Sequence, residues 1–227
     1  MSEAISMHII ARIRNDFSAK FGVPRQSGLA DSLLSEIVFE PSYRCAEALR
    51  GLEGFSHLWL LWQFSEAQRE SWSPTVRPPR LGGNTRMGVF ATRSPYRPNP
   101  IGLSSVRLEK IRWEGPEGPA LYVAGADLMS GTPILDIKPY LAYTDSHPEA
   151  SGGFSAGEAR LEVAVSNAQL SLIPEEKRTG LLAVLAQDPR PGYQKDPGRV
   201  YGMEFAGFTI RFTVSGVQLR VLQITPL

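Results

Sequence analysis

The sequence predicts a mainly β fold: an N-terminal antiparallel β-barrel, not a Rossmann unit, followed by a small C-terminal α+β domain. Short segments of alternating apolar and polar residues succeed one another through the first 145 residues with a single short helix among them. A Rossmann fold requires a glycine-rich loop after its first strand, within alternating β and α units, and this sequence has no such loop. A stretch rich in Ser, Gly and Ala over 146–157 then separates the barrel from a different pattern.

The first elements follow from period-two alternation and from turn residues. Residues 5–14 alternate as a strand, and residues 35–39 form a short strand that ends before a proline. Ser42 is expected to cap a short helix over 43–49. Residues 55–64 form a nearly continuous apolar run, which is typical of a strand buried on both faces.

Further strands complete the predicted barrel. Residues 87–92 indicate a buried strand between two proline- and arginine-rich segments, and 101–113 indicate a long strand. After a glycine-proline turn, 121–128 is its expected hairpin partner. Residues 134–138 form the last strand, which ends at a proline.

The C-terminal part mixes strands with one clear helix. That helix is predicted over 174–186, because Pro174 stands at its start and two glutamates occupy its first turn. Short strands are predicted near 160–166, 199–204, 208–214 and 217–223. The domain limits are therefore 1–145 for the barrel, 146–157 for the linker and 158–227 for the α+β domain.

Composition excludes several classes of protein. The 227 residues carry a net charge of +1, so any nucleic-acid binding must come from local clustering of charge. The single cysteine, Cys45, excludes an internal disulfide and a cysteine-based metal cluster, and three scattered histidines make a metal site unexpected. The N-terminus lacks the pattern of a signal peptide, and the longest apolar run is too short to span a membrane. We expect a cytoplasmic protein.

Charge does cluster between residues 77 and 102. This stretch holds five arginines and no lysine, and no acidic residue occurs between 70 and 109. Arginine offers a planar fork of donors suited to phosphate and carboxylate oxygens. The prolines and glycines around the arginines stiffen the backbone or let it approach a ligand closely. The pattern predicts a site for an anion.

Five segments, taken in order, resemble one family. They read PRQSGL, LEGFSHLWLLWQF, RPPRLGGNTRMGVFATRSPYRPNPIGLS, DLMSGTPILDIKPY and AQDPRPGY. They look like the TrmO family, also called TsaA-like or YaeB-like, and the match runs from about residue 9 to the C-terminus. Its members are methyltransferases that use S-adenosyl-L-methionine (SAM) and act on threonylcarbamoyl-adenosine beside the tRNA anticodon. The resemblance implies a β-barrel that binds SAM at or near a homodimer interface.

The resemblance also implies which residues hold SAM. Gln26 would pair with an adenine edge, Arg93 would hold the methionine carboxylate, and Leu103 would pack against adenine or ribose. The family commonly has histidine where this chain has Ser65, so a backbone contact is expected there. The full set of matched positions is Pro24, Arg25, Gln26, Ser65, Glu66, Arg93, Leu103, Ser130, Gly131, Thr132 and Pro133.

Two polar residues of the fourth segment suggest a catalytic pair. Asp136 and Lys138 are two apart on a predicted strand and so share a face. They form either a structural ion pair or a functional pair in which Asp136 accepts the proton of the acceptor nitrogen.

The RNA surface is expected to combine arginines with one aromatic residue. Arg190, between two prolines, would be a preset cationic prong, and Tyr193 would stack on a base; the alternative is a loop that supports the domain junction. The predicted members are Arg77, Arg80, Arg86, Arg97, Arg190 and Tyr193.

The sequence therefore favours a SAM-dependent tRNA methyltransferase that modifies the 6-amino nitrogen of threonylcarbamoyl-adenosine, with tRNA for threonine as the expected substrate. Two alternatives stay open. One is a non-catalytic RNA-binding barrel, and the other is an enzyme whose arginines grip a small anionic substrate.

Overall fold

The N-terminal part of the chain is a closed antiparallel barrel of six strands. The computed structural model describes residues 4–67, 71–155, 160–190, 194 and 196–227. The barrel strands are β1 Ala11–Arg14, β2 Leu34–Phe39, β3 His57–Gln63, β6 Ile101–Arg112, β7 Ala120–Ala124 and β8 Pro133–Pro139. Around the barrel they follow the order β1-β2-β7-β6-β3-β8. This architecture confirms the predicted fold class.

Alternation of side chains along each strand fills the barrel. On β3, Leu58, Leu60 and Trp62 are buried, while the residues between them are only half-buried. The prediction that this strand is buried on both faces is therefore wrong. A closed barrel has one interior, and the outward side chains of β3 are covered only in part.

Two other N-terminal predictions are corrected. The strand predicted over 5–14 begins only at Ala11, and Ile5 ahead of it is 89% exposed, because alternation cannot make a strand without a partner to pair with. The helix predicted over 43–49 is instead two separate 3-10 turns, Pro41–Tyr43 and Ala46–Leu49, and Ser42 caps neither. Cys45 between the two turns has an extended backbone (φ −122°, ψ 115°), which interrupts a continuous helix.

The arginine-rich stretch folds as a small hairpin outside the barrel. Strands β4 (Thr75–Val76) and β5 (Met87–Gly88) pair with each other, and a 3-10 turn, Val89–Ala91, follows directly. The predicted strand over 87–92 is thus wrong after its second residue. Val89 is buried but Phe90 is 74% exposed, so apolar character alone did not indicate burial here.

The C-terminal part is a four-stranded sheet with helices packed beside it. Its strands are β9 Glu162–Ala164, β10 Tyr201–Phe205, β11 Phe208–Ser215 and β12 Gln218–Pro226, in the order β10-β11-β12-β9. The helices are α1 Ala142–Asp145, which follows the barrel, then α2 Asn167–Leu170 and α3 Glu175–Ala186. Helix α3 begins directly after Pro174, as predicted. Among the described residues no helix is both long and apolar enough to cross a membrane.

In the described part of the chain the buried side chains form two hydrophobic cores, one inside the barrel and one in the C-terminal unit. The connection between β1 and β2 belongs to the C-terminal core. Phe17, Ala30 and Leu33 lie in the core built by the C-terminal sheet and α3. Gly180 of α3 lies so close to Leu33 that an added Cβ would meet Leu33 Cδ2 at 2.0 Å. The C-terminal unit therefore supports the loop that leaves the barrel after β1. The predicted limits 1–145, 146–157 and 158–227 stay a prediction, and residues 156–159 lie outside the described part.

Candidate cofactor site and RNA surface

The four segments predicted to hold the cofactor converge on one rim of the barrel. Strand β3 ends where β6 begins, with Gln63 paired to Ile101, and β8 begins beside the end of β1, with Pro133 paired to Arg12. Antiparallel pairing brings these strand ends together at the same end of a barrel. The predicted residues lie in the connections there: 24–26 after β1, 65–66 after β3, 93 and 103 around the start of β6, and 130–133 before β8.

Gln26 and Arg93 are in direct contact at this rim. Arg93 Nη1 donates a hydrogen bond to Gln26 Oε1, although the two residues are 67 positions apart in the chain. Arg93 is exposed and Gln26 is half-buried. The structure therefore joins two residues that the sequence placed in separate cofactor segments, and it leaves an accessible guanidinium for an anionic group.

Arg25 points away from Gln26 towards the C-terminal unit. Its Nη2 donates to the carbonyl oxygens of Asp188 (2.9 Å) and Arg190 (2.7 Å). These bonds attach the loop of Pro24–Gln26 to the C-terminal unit. In this conformation Arg25 is a support for the loop rather than a group presented to a carboxylate.

The loop of Ser130–Pro133 is tied into the barrel by its own amides. The backbone N–H groups of Ser130 and Gly131 donate to the carbonyls of Phe17 (2.8 Å) and Ile13 (2.7 Å), and that of Thr132 donates to Met129 (3.2 Å). These three donors are thus committed within the protein. A ligand at this loop would meet carbonyl oxygens and side chains rather than free amides.

Leu103 and Asp136 lie in one row across the outer face of the sheet. Leu61 of β3 pairs with Leu103 on one side and with Asp136 on the other. With strands about 4.8 Å apart, Leu103 and Asp136 are about 10 Å apart on the same face. Leu103 is 56% exposed, which a packed core residue would not be.

Asp136 forms the ion pair that the sequence left as one of its two interpretations. Its Oδ2 lies 2.8 Å from Lys138 Nζ, and its Oδ1 accepts the backbone N–H of Ile137 (2.9 Å). Both side chains are well exposed, at 40% for Asp136 and 63% for Lys138. An exposed pair of this kind adds little to stability. It leaves the Asp136 carboxylate accessible from solvent.

Asp127 is a half-buried carboxylate at the rim that the sequence did not single out as a site residue. Ser104 Oγ donates to its Oδ1 (2.5 Å), and Trp62 Nε1 donates to Ser104 Oγ (2.9 Å). The backbone N–H of Ser27 also donates to the carboxylate. Asp127 thereby links the loop after Gln26 to the start of β6.

Burial raises the pKa of the Asp127 carboxyl above its ordinary value. The hydrogen bonds from Ser104 and the backbone oppose this rise, as does the nearby positive charge of Arg93. A lone aspartate at the start of the segment DLMSGTPILDIKPY gives no spacing signal, which is why sequence reasoning missed it. Its role emerges only when the fold brings Ser27, Ser104 and Arg93 around it.

The hairpin β4–β5 presents most of the predicted RNA-binding arginines. Its connecting loop carries Arg77, Arg80 and Arg86, and all three are exposed. A shallow groove beside the loop is lined by Arg77, Pro79, Gly82, Gly83 and Asn84. Arg97 differs from the loop arginines because it is half-buried and its Nη1 donates to the Thr92 carbonyl (3.1 Å).

Arg190 does not form the free cationic prong that the sequence suggested. Its guanidinium binds Asp188 at two points, at 2.7 Å and 2.8 Å, and its side chain is only 11% exposed. The geometry agrees with the alternative of a loop that supports the domain junction, since Arg25 also binds there. Tyr193 lies outside the described residues. In the described part of the chain no three His, Cys, Asp or Glu side chains cluster so as to hold a metal ion.

Fold and site together define a non-Rossmann β-barrel protein with a basic, acid-free face beside one rim. Comparison with known families identifies it further. Residues 12–146 match the model of the tRNA-methyltransferase O N-terminal domain, and residues 158–227 match that of the TrmO C-terminal domain. The chain belongs to the TrmO family.

Relatives of similar length have names that describe methyltransferases. The tRNA (adenine(37)-N6)-methyltransferase of Escherichia coli K12 is 44% identical over 227 residues, which cover 96% of each chain. A Pseudomonas aeruginosa protein whose name assigns it to the S-adenosylmethionine-dependent methyltransferases is 42% identical over 210 residues, 87% of each chain. The crystal structure of TrmO from P. aeruginosa superposes with a TM-score of 0.79 at 34% identity, covering 100% of this chain and 99% of that one.

Proposed function

We propose that this protein transfers a methyl group from SAM to the 6-amino nitrogen of threonylcarbamoyl-adenosine at position 37 of tRNA. Family membership over both parts of the chain supports this reaction class. The observation that carries the proposal is the convergence of four separate segments on one rim, beside a hairpin whose charged residues are all arginines. We propose tRNA for threonine as the substrate.

The residues at the rim fit the parts of SAM. Arg93 offers an exposed cation for the amino-acid carboxylate, Glu66 an exposed carboxylate for the ammonium group, and Leu103 an apolar surface for adenine or ribose. Ser65 is exposed next to Glu66. SAM supplies an already activated methyl group when bound. The protein therefore needs only to align the acceptor nitrogen, exclude water and take up one proton.

Asp136 is our candidate for the proton acceptor. The acceptor nitrogen lies between a purine and a carbonyl, so its lone pair is delocalised and its proton must leave as the new bond to carbon forms. The Asp136 carboxylate faces solvent on the same sheet face as Leu103, at a distance that a nucleotide can span. Its ion pair with Lys138 fixes its orientation.

Two substitutions separate the catalytic and structural interpretations of this pair. Asp136→Asn should lower kcat by about 100-fold or more, in the usual range for loss of a general base, with the dissociation constant of SAM unchanged. Lys138→Gln breaks the same ion pair but keeps the carboxylate, so kcat should fall by much less. Equal effects of both substitutions on kcat would assign the pair a structural role and remove Asp136 from the mechanism.

We further propose that the active form is a homodimer in the cytoplasm. Ile101 and Leu103 are 37% and 56% exposed on the outer face of β6, beside the half-buried Leu61. Such a row is the kind of apolar surface that a second copy covers. Analytical ultracentrifugation of the protein with and without SAM tests the dimer, and fractionation of cells tests the compartment.

The reaction is tested by methyl transfer from labelled SAM to tRNA with and without the threonylcarbamoyl group. Incorporation only into the modified tRNA is the expected result. SAM binding without incorporation would redirect the search to another acceptor. Neither binding nor incorporation, with tRNA still bound, would favour the non-catalytic RNA-binding barrel. Tight binding of a small anion without tRNA affinity would favour an enzyme acting on a small anionic substrate.

A further inference from the structure

Two large aromatic rings lie exposed side by side near the arginine loop. Trp72 is 51% exposed and Phe90 is 74% exposed, and their ring centroids are 6.2 Å apart with an angle of 31° between the planes. Exposed apolar groups that cluster, rather than scatter singly, mark interaction sites. Neither Trp72 nor Phe90 is among the residues assigned to the cofactor or to RNA above.

The hairpin holds the two rings in place. Trp72 precedes β4 and Phe90 follows β5, so both lie at the open end of the hairpin while the arginines lie at its loop. The backbone N–H of Val89 donates to the Pro74 carbonyl (3.0 Å), and the Val89 side chain is buried. Buried Val89 thus anchors the 3-10 turn that turns Phe90 outward.

The charge around the rings indicates the chemistry of the partner. No acidic residue occurs from 71 to 108, whereas the hairpin loop carries three exposed arginines. Arg93, three residues after Phe90, contacts Gln26 at the cofactor rim. Aromatic rings next to arginines are the pattern that binds unpaired bases of RNA, because rings stack on bases while arginines meet phosphates.

We propose that Trp72 and Phe90 form a stacking platform for an unpaired base of the anticodon loop, next to the adenosine that is methylated. The inference rests on the proposed tRNA substrate and extends it to an interaction that selects a single-stranded loop. A second copy of this chain fits the surface less well. In a two-fold interface built on these rings, the same arginine-rich stretch would face itself, and neither copy of it offers an acidic residue to pair with the arginines.

The test measures binding of a labelled, threonylcarbamoylated anticodon stem–loop by fluorescence anisotropy at several salt concentrations. Trp72→Ala and Phe90→Ala should each weaken binding about 5- to 150-fold, the effect of removing one stacked base. The slope of log K against log salt should stay unchanged, because the arginines still meet the same phosphates. Phe90→Leu removes the ring but keeps a large apolar side chain, so it tests the loss of stacking even if Phe90→Ala impairs folding. Its RNA affinity should fall as much as that of Phe90→Ala.

Trp113 supplies the matched control. It is 42% exposed and lies beside Glu47, Arg50 and Glu53, where two carboxylates outnumber the single arginine and the site is less suited to RNA phosphates. Trp113→Ala should leave RNA affinity unchanged, and calorimetry should give the same SAM affinity for every variant. Phe90→Trp, which restores a stacking ring, should recover most of the lost affinity.

The outcomes separate this inference from the proposed function. Wild-type methyl transfer combined with unchanged RNA affinity in the Trp72 and Phe90 variants overturns the stacking platform alone. Weakened RNA binding that occurs only together with loss of the dimer in sedimentation also overturns it, in favour of an interface between copies. Wild-type protein that binds the stem–loop through these rings but transfers no methyl group overturns the proposed reaction and keeps the platform. Absence of any RNA binding overturns both.

Discussion

Gly102 faces the buried ring of Trp62, and an alanine there tests how the rim is held together. The two residues are paired across β3 and β6, and the indole lies over the Gly102 α-carbon. A Cβ at Gly102 would meet Trp62 Cε2 at 2.2 Å and two further ring atoms at 2.4 Å and 2.6 Å. Since carbon atoms in a packed interior need roughly 3.5 Å, the ring must move by about 1 Å or the strands must separate.

Gly102→Ala should therefore cost about 1–3 kcal/mol, the usual range for overpacking a buried site. With a urea m-value of about 2 kcal/mol/M, the unfolding midpoint falls by about 0.5–1.5 M. The shift of Trp62 also strains the hydrogen bond from its indole N–H to Ser104, and through Ser104 the bond to Asp127. We expect SAM binding to weaken together with stability.

Urea unfolding followed by tryptophan fluorescence is the suitable assay. All four tryptophans of the chain precede residue 146, so their emission reports on the barrel and not on the C-terminal sheet. Gly54→Ala is the matched control, because a Cβ at Gly54 meets nothing within 4 Å. If the two alanine variants unfold at the same urea concentration, Trp62 is free to move and the account of a rigid rim is refuted.

Three further predictions concern the half-buried Asp127, the arginines of the hairpin loop and the packing between the two units. Asp127→Asn should weaken SAM binding about tenfold, since an amide neither accepts as strongly nor attracts Arg93, while stability at neutral pH holds or rises. The double variant Arg77→Ala/Arg86→Ala should weaken tRNA binding and lower the salt slope by about 2, one for each phosphate that no longer meets an arginine. Gly180→Ala drives a Cβ into Leu33 and should lower the free energy of unfolding by about 1–3 kcal/mol, measured by circular dichroism.

The sign of the pH effect at Asp127 follows from its raised pKa. Between the ordinary Asp pKa, roughly 3.9, and the raised folded value, the folded protein holds a proton that the unfolded chain has released. The contribution of Asp127 to stability is therefore greatest below this window and is lost as pH rises through it. Asp127→Asn should flatten the stability profile there.

Controls and contrary outcomes complete the other two predictions. Arg220 is exposed on β12, and Arg220→Ala should leave the salt slope of tRNA binding unchanged. An unchanged slope in the double variant would exclude the hairpin loop from phosphate binding. Gly202→Ala is the control, because its Cβ meets nothing within 4 Å. If Gly202→Ala and Gly180→Ala have the same free energy of unfolding, Leu33 moves aside without a cost in stability.

The strands of the barrel could be predicted because burial on one side imposes a period of two. This rule located β6 and β8 closely, and the proline before α3 located that helix. It failed at 55–64, because a run of apolar residues does not say how many faces are covered. It failed again at Phe90, which is apolar but has a side chain exposed to solvent.

The rim could be predicted only as separate segments. Motifs named Gln26 and Arg93, but their hydrogen bond depends on the path of the chain through the barrel. Asp127 gave no signal, because its environment becomes visible only in the fold. The resemblance implied that Arg25 binds the cofactor, and the sequence left Arg190 as either an RNA-binding group or part of a loop that supports the domain junction. In the structure Arg25 donates to backbone carbonyls and Arg190 donates to the Asp188 carboxylate, because the domain junction places these acceptors next to the two guanidinium groups.

The bonds of Arg25 connect the loop of Pro24–Gln26, which we propose holds the cofactor, to the C-terminal unit. Its two carbonyl acceptors come from Asp188 and Arg190, so deleting everything after residue 157 would remove them and leave the strand closure of the barrel intact. The loop of Pro24–Gln26 would then keep only its contacts within the barrel part, such as the bond from Arg93 to Gln26, and would regain conformational freedom that binding must remove again. A barrel engineered to work alone therefore needs a replacement tether at this loop as well as a new cover for Phe17, Ala30 and Leu33, which pack in the C-terminal core.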